Sequence, residues 1–327
     1  MKAATHITST QPEGDWSKLQ RVATSHFKQF IESSGKTLNL TELVQFVTLK
    51  GSLCYLFEYA DTAMSIADRS EDINFIGRRI NTMATFQGPR GPAAGMGAYP
   101  SEVDPENSRT NPINLLLPAY ETMWCVVLHC LLEVKYHSAD NGPAWERILT
   151  QYLQALNGSR DAQKEAFSTA DQSGVAAVDI VKEALRLYPP SKRVHRLYYN
   201  EPQVADIEKC HHSALLGQND PLVFRPERWL QILPALRAQA REGSKNDAKM
   251  LKSGEEQLGF MPFALVCTAD IAEMKGFGMK MVALLVAVLC AGLGDEWEVE
   301  DLGGLPAKGV VLAVDRMAYG DLMLKRK

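Results

Sequence analysis

The chain has 327 residues, 46% of them hydrophobic and 23% charged, and a formal net charge of -4. That composition describes a globular, soluble protein long enough to bury a sizeable core in one large domain or two ordinary ones. It excludes a protein that grips nucleic acid through a basic surface: no basic run of useful length occurs, and the Lys325-Arg326-Lys327 tail reads as a solvated end.

Residues 1–15 read as a flexible N-terminus; Met1 to Trp16 is polar and lacks the apolar core of a signal peptide. Trp16 to Ser33 has Leu19, Val22, Ala23, Phe27 and Phe30 at helical spacing, which predicts an amphipathic helix. A second helix is expected from Leu40 to Phe57, with Asn39 or Thr41 able to cap it. The Gly- and Pro-rich stretch 87–112 must be a loop, and one of that length inside a domain is usually functional or mobile. Ile113 to Val134 predicts a strongly apolar helix. Trp145 to Leu156 and Ala162 to Ser168 follow as helices, and the run Val178 to Leu187 is a helix that Pro189-Pro190 stops. Arg193 to Tyr199 predicts a strand. Trp297 to Leu324 holds short strand-like pieces such as Gly309-Val310-Val311-Leu312-Ala313-Val314. Residues 16–327 thus read as one mainly α domain with small β-sheets, without internal repeats.

The six cysteines (Cys54, Cys125, Cys130, Cys210, Cys267, Cys290) show no zinc-type spacing. Several lie in apolar runs, so buried reduced thiols in a reducing compartment are expected. The longest apolar run, Met281 to Leu293, is too short to span a bilayer. A cytoplasmic protein without a membrane anchor is the expectation.

Glu183-Ala184-Leu185-Arg186, the Pro189-Pro190 stop and Phe224-Arg225-Pro226-Glu227-Arg228-Trp229 together resemble the cytochrome P-450 family of haem-thiolate monooxygenases, fungal type. Alone, Glu183 and Arg186 would be a surface ion pair of little weight. The resemblance implies instead that both lock to Arg228 in a buried structural network, a role that suits the planar fork of arginine. It also implies that Glu121-Thr122, within Leu117-Pro118-Ala119-Tyr120-Glu121-Thr122-Met123-Trp124, match the acid–threonine pair of the family's central helix. Residue by residue, the plainer reading of that pair is a buried helix whose Thr122 bonds back to its own turn. The family's first third, with its membrane anchor and first sheet strands, finds no counterpart, so a truncated fold is expected.

The family's haem loop follows the pattern Phe-Gly-x-Gly-x-x-x-Cys-x-Gly. Its glycines permit backbone conformations that a side chain forbids, and its thiolate sets the oxygen chemistry. Here the stretch is Phe260-Met261-Pro262-Phe263-Ala264-Leu265-Val266-Cys267-Thr268-Ala269-Asp270. In one register Phe263 opens the loop and Asp270 takes the cysteine position; a carboxylate is a hard ligand and no substitute for a thiolate. In the other, Phe260 opens it and Cys267 is the ligand. Both registers lose the glycines, and the first is preferred because it needs no insertion. Trp16 matches the start of a Trp-x-x-x-Arg pair for the haem propionates, but Gln20 stands at the arginine position, with Arg21 next to it. Losing such partners weakens haem binding by ~1.5–3 kcal/mol for each charged hydrogen bond.

The resemblance therefore implies a scaffold that kept its lock and discarded its cofactor. The first functional expectation is an enzyme without haem that performs a non-redox cyclisation, a pericyclic step such as a Diels–Alder reaction, or an isomerisation. Its substrate would be an apolar terpenoid or polyketide-type intermediate of specialised metabolism, held in an apolar cavity. Tyr120, Glu121, Thr122 and His129 are the candidate catalytic residues, each with packing or a satisfied polar contact as its plainer reading. Two alternatives stand beside it: a shortened haem monooxygenase using Cys267, and a non-catalytic binding partner. A sheet edge left uncovered by the missing third makes a homodimer an expectation as well.

Overall fold

The longest apolar segment of the sequence becomes the axis of the molecule. In the computed structural model, residues 16–56, 117–137, 141–199, 201–242, 245–262, 277–301, 304–315 and 318–327 are described. The expectations for residues 1–15, for the loop 87–112 and for Phe263, Cys267 and Asp270 lie outside them.

The first helix, α1 (Trp16–Ser33), buries Trp16, Leu19, Ala23, Phe27 and Phe30, one per turn of its apolar stripe. Strand β1 (Thr37–Asn39) leads into α2 (Leu40–Leu56). Asn39 caps this helix: its Oδ1 accepts the amide of Glu42 at 2.9 Å, satisfying one of the donors a helix start leaves open. The central helix is a composite of a π-helical turn Leu117–Glu121, α3 (Thr122–Leu132) and a second π-helical turn Glu133–His137. It runs three residues beyond the expected end at Val134. Apolar periodicity stops there, but a side-chain bond from His137 back to Glu133 carries one more turn.

Helices α4 (Gly142–Ala155) and α5 (Arg160–Ala166) follow, the latter capped by Ser159 Oγ on the amide of Ala162. Helix α6 (Ala177–Leu187) ends just before the two prolines. Strands β2 (Arg193–Tyr198) and β3 (Glu201–Asp206) form an antiparallel hairpin in the register Arg193↔Asp206 to Tyr198↔Glu201. Short helices α7 (Ile207–His211), α8 (Ala214–Gly217) and α9 (Arg228–Gln231) lead to α10 (Pro234–Glu242) and α11 (Lys245–Gln257), a pair packed on each other.

The last helix, α12 (Phe277–Leu293), is buried all round from Met281 to Cys290, as a helix without a polar face must be. It packs against α1, α3, α4 and α6, and thus collects the core. Its approach to α1 requires Gly292: a Cβ there would lie 2.3 Å from the ring of Phe27. Strands β4 (Trp297–Val299) and β5 (Met323–Arg326) join β1 in an antiparallel sheet of order β1-β5-β4, with Leu38, Leu324 and Val299 in register and buried.

One expected strand is corrected. Residues 309–314 are irregular chain, because side chains rather than a neighbouring strand take their backbone groups: the amides of Leu312 and Ala313 go to the phenol oxygens of Tyr188 and Tyr319. The architecture is mainly α-helical with small antiparallel sheets, as the sequence predicts. Among the described residues no helix is long and apolar enough to cross a membrane.

Candidate functional site

Glu183, Arg186 and Arg228 meet with no exposure to solvent at all. The carboxylate of Glu183 takes Arg186 Nε and Nη2 at 3.0 and 2.9 Å, a two-pronged contact within one turn of α6. Oε1 also accepts Arg228 Nε at 2.8 Å and the amide of Arg225 at 2.9 Å, while Oε2 accepts the indole N–H of Trp229 at 3.0 Å. The remaining donors of the two guanidinium groups reach main-chain oxygens. Arg186 Nη1 bonds His211 and Pro221, and Arg228 Nη2 bonds Asp220 and Val223. Asp220 Oδ1 supplies the second negative charge, 3.1 Å from Arg228 Nη1. Two anions thus answer two cations, which is how such a buried group avoids an uncompensated charge.

A second buried ionic group adjoins it, and the sequence reading missed it. Asp179 receives Arg237 through a short contact, and Lys182 Nζ lies 2.6 Å from Glu255. Lys182 also sits over the ring of Trp229 at 5.5 Å, beside the first network. These residues come from α6, α10 and α11. The only available sequence signal was Asp179 and Lys182 at i, i+3 on an otherwise apolar helix.

The four residues proposed for chemistry lie on the central helix, and the structure separates them into two environments. Tyr120 is wholly enclosed, and its hydroxyl has no hydrogen-bond partner among the described residues. Burial, with the Cys125 thiol beside it, pushes this phenol well above its usual range, so it holds its proton. Glu121 is buried next to it, and Thr122 is half-buried at the start of α3. His129 is elsewhere in role: Nδ1 faces the carbonyl of Cys125 at 2.7 Å and Nε2 that of Ala313 at 2.9 Å, and its ring stacks on Tyr188. Burial lowers its proton affinity, and the neutral ring has one N–H for the two carbonyls it faces.

Below His129 lies an acid–phenol–imidazole group that periodicity could not reveal. Tyr188 donates to Glu133 Oε1 in a short bond, and His137 Nδ1 lies 2.8 Å from Glu133 Oε2. His137 Nε2 reaches the carbonyl of Ala307 at 3.2 Å. The bond to Glu133 raises the proton affinity of His137 against the opposing effect of burial. A separate cleft of about 290 Å³ is lined by Glu300, Asp301, Tyr319 and Asp321 among others, and is acidic rather than apolar. Among the described residues no three His, Cys, Asp or Glu side chains are placed to hold a metal ion.

The described side chains expected near haem propionates are turned to other uses. Trp16 packs on Phe277 at the start of α12, and Phe277 stacks on Tyr55 with ring centres 3.9 Å apart. Arg21 is exposed and bonds the carbonyl of Ser17 on its own helix. The loop that would carry the thiolate lies outside the described residues. The described entrance to that loop is held from the lock. His211 accepts the amide of Met261 at Nε2, 3.0 Å away, while its own carbonyl binds Arg186.

The fold is that of cytochrome P-450 haem domains. The haem domain of a cytochrome P-450DA mutant superposes with a TM-score of 0.50, covering 96% of this chain and 72% of that one at 14% identity. No family model matches the chain. No curated protein matches it either.

Proposed function

We propose that this chain uses the P-450-type fold without haem, to catalyse a non-redox cyclisation, pericyclic step or isomerisation of an apolar terpenoid- or polyketide-type intermediate. The observation that carries the reading is the Tyr120 hydroxyl, enclosed and without a partner among the described residues. A buried donor left unmatched costs ~1–3 kcal/mol, and a ligand oxygen would return it. Held in its protonated form, the phenol polarises a carbonyl conjugated to a dienophile as a hydrogen-bond donor, not as a base. In a Diels–Alder step two σ bonds replace two of the three π bonds, so no electron leaves the substrate and no oxidant is consumed. Confinement of a reactive conformer supplies the rest of the rate, to which orientation alone contributes up to ~7–11 kcal/mol. The altered loop at Phe263, Cys267 and Asp270 supports the absence of haem in this role.

Mass separates this reading from oxygen chemistry. Deleting the gene in its native host should accumulate a precursor of the same mass as the lost product. A precursor lighter by one oxygen, or a Soret band with a thiolate-type carbon monoxide spectrum in protein produced with haem supplied, overturns the proposal. That second result would return the assignment to a monooxygenase ligated by Cys267. Accumulation of neither compound would leave a binding partner as the role.

A further inference from the structure

Residues 304–315 cross the surface over the central helix as irregular chain, yet they are fastened at several points by ionisable side chains from below. His137 holds the carbonyl of Ala307, and His129 holds that of Ala313. Tyr188 takes the amide of Leu312 at 3.3 Å and Tyr319 that of Ala313 at 2.8 Å. Leu312 is fully buried in the core, Leu305, Val311 and Val314 pack against it partly buried, and Val310 stands half in solvent. Beneath the segment, Glu133, His129, His137 and Tyr188 are each at most 4% exposed. Irregular chain with few buried apolar contacts belongs to the low-stability end of a protein, able to open by itself.

The geometry at His137 makes that fastening conditional. Both partners of the ring, the carboxylate of Glu133 and the carbonyl of Ala307, are acceptors only. The imidazolium serves both at once, and a neutral ring can serve only one. We propose that residues 304–315 form a strap whose closure is gated by protonation of His137, which ties Ala307 to Glu133 when charged and lets the strap lift when neutral. Glu133, itself bonded to Tyr188, faces His137 from the same turn and favours the charge; Lys308 faces it from the strap and opposes it. His129 sits nearer the Ala313 end, with Glu133, Lys192, Tyr188 and Tyr319 around it. Its burial keeps it neutral, with one N–H to donate over the same range.

The sign follows from linkage. His137 is held above its ordinary value of ~6.5, so its contribution to closure is complete below that pH and is lost as pH rises through the raised value. Opening the strap would expose the Glu133–Tyr188 pair to water.

Single-amide hydrogen exchange by NMR on the full chain, corrected for intrinsic rates, reads the strap directly through Val310, Leu312 and Ala313. Their protection should stay below that of Val286 in α12 at every pH. It should then fall by up to about tenfold per pH unit between ~6.5 and the raised His137 value, and level off above it. His137→Gln should make the profile flat, and Lys308→Ala should move the break to higher pH. Protection that is constant between about pH 6 and 9, or equal to that of α12, overturns the proposal. So does a Lys308→Ala break displaced downward. Should His137→Gln fail to fold, titration of the wild-type histidine ring protons decides: a His137 transition below ~6.5 is equally fatal.

Discussion

Arg228 donates its Nε–H to Oε1 of Glu183 at 2.8 Å, joining residues 45 positions apart where no solvent reaches. Everything between them, including the hairpin and two short helices, is a loop that this bond closes. Arg228→Ala would leave Arg186 as the one cation paired with Glu183 and Arg225 as the one paired with Asp220, and would take the guanidinium donors from the carbonyls of Gly217 and Asp220. The expected cost is ~3–5 kcal/mol in urea unfolding, enough to unfold a marginal protein. Arg228→Lys should recover little, because an ammonium has no Nε–H and fork to serve Glu183 and the carbonyls together. A loss under ~1 kcal/mol would show that the network is not the closure it is drawn as.

The second ionic group predicts a different signature. Lys182 and Glu255 are both nearly enclosed, so their attraction is poorly screened. A double-mutant cycle with Lys182→Met and Glu255→Gln should return a coupling of ~0.5–3 kcal/mol that changes little between low and high salt. A coupling that vanishes in molar salt would place the pair at the surface.

These two groups also mark how far the sequence could be read. Glu183, Arg186 and Arg228 were legible because a helix of known stop and a Phe-x-Pro-Glu-Arg-Trp run carry them, and their types admit few other arrangements. Lys182 and Glu255 were not, since a lysine on an apolar helix and a glutamate on a polar one look solvated until the chain folds. The helix ends at Ser33 and Leu187 follow from periodicity and proline. The strand expected at 309–314 failed because β-branched residues report a preference for extended chain, not whether a strand partner or a phenol will take the amides. Glu133, His137 and Tyr188 come together through a π-helical turn and a helix end, neither of which has a period to read.

His211 predicts an acid transition. Its ring is buried beside Arg186, and burial first, then that charge, lowers its value to about 4. A lowered value means that folding prefers the neutral ring. The stability it contributes is complete above the unfolded value of ~6.5 and is lost as pH falls through about 4. The neutral ring accepts the Met261 amide at Nε2, and a protonated one cannot. Urea midpoints measured from about pH 7 to 4 should therefore fall more steeply for the wild type than for His211→Gln. Parallel curves would mean that this histidine is not the group being charged.

At the crossing of α1 and α12, the ring of Phe27 occupies the space a side chain at 292 would need. Gly292→Ala should destabilise by ~1–3 kcal/mol although alanine is the better helix former by ~1 kcal/mol. Pairing it with Phe27→Leu should recover part of the loss by giving the new methyl group room. A stabilised Gly292→Ala would show that the two helices can part at no cost.

Tyr120 offers a test in which stability and activity move in opposite directions. A packing residue truncated by one oxygen should leave both unchanged, and a satisfied phenol should lose stability on conversion to phenylalanine. The Tyr120 hydroxyl is buried without a partner among the described residues, so Tyr120→Phe removes a polar group that folding does not satisfy. Thermal and urea unfolding should show a gain of up to ~1 kcal/mol, because an unmatched buried hydroxyl is a cost to the empty protein. If the same hydroxyl donates to a substrate carbonyl as that bond polarises, the variant should form the isomeric product ~10²-fold more slowly in the complemented deletion strain. Loss of stability together with full product formation would make Tyr120 a phenol satisfied within the fold, and the donor of the proposed reaction would have to be sought at Thr122 instead.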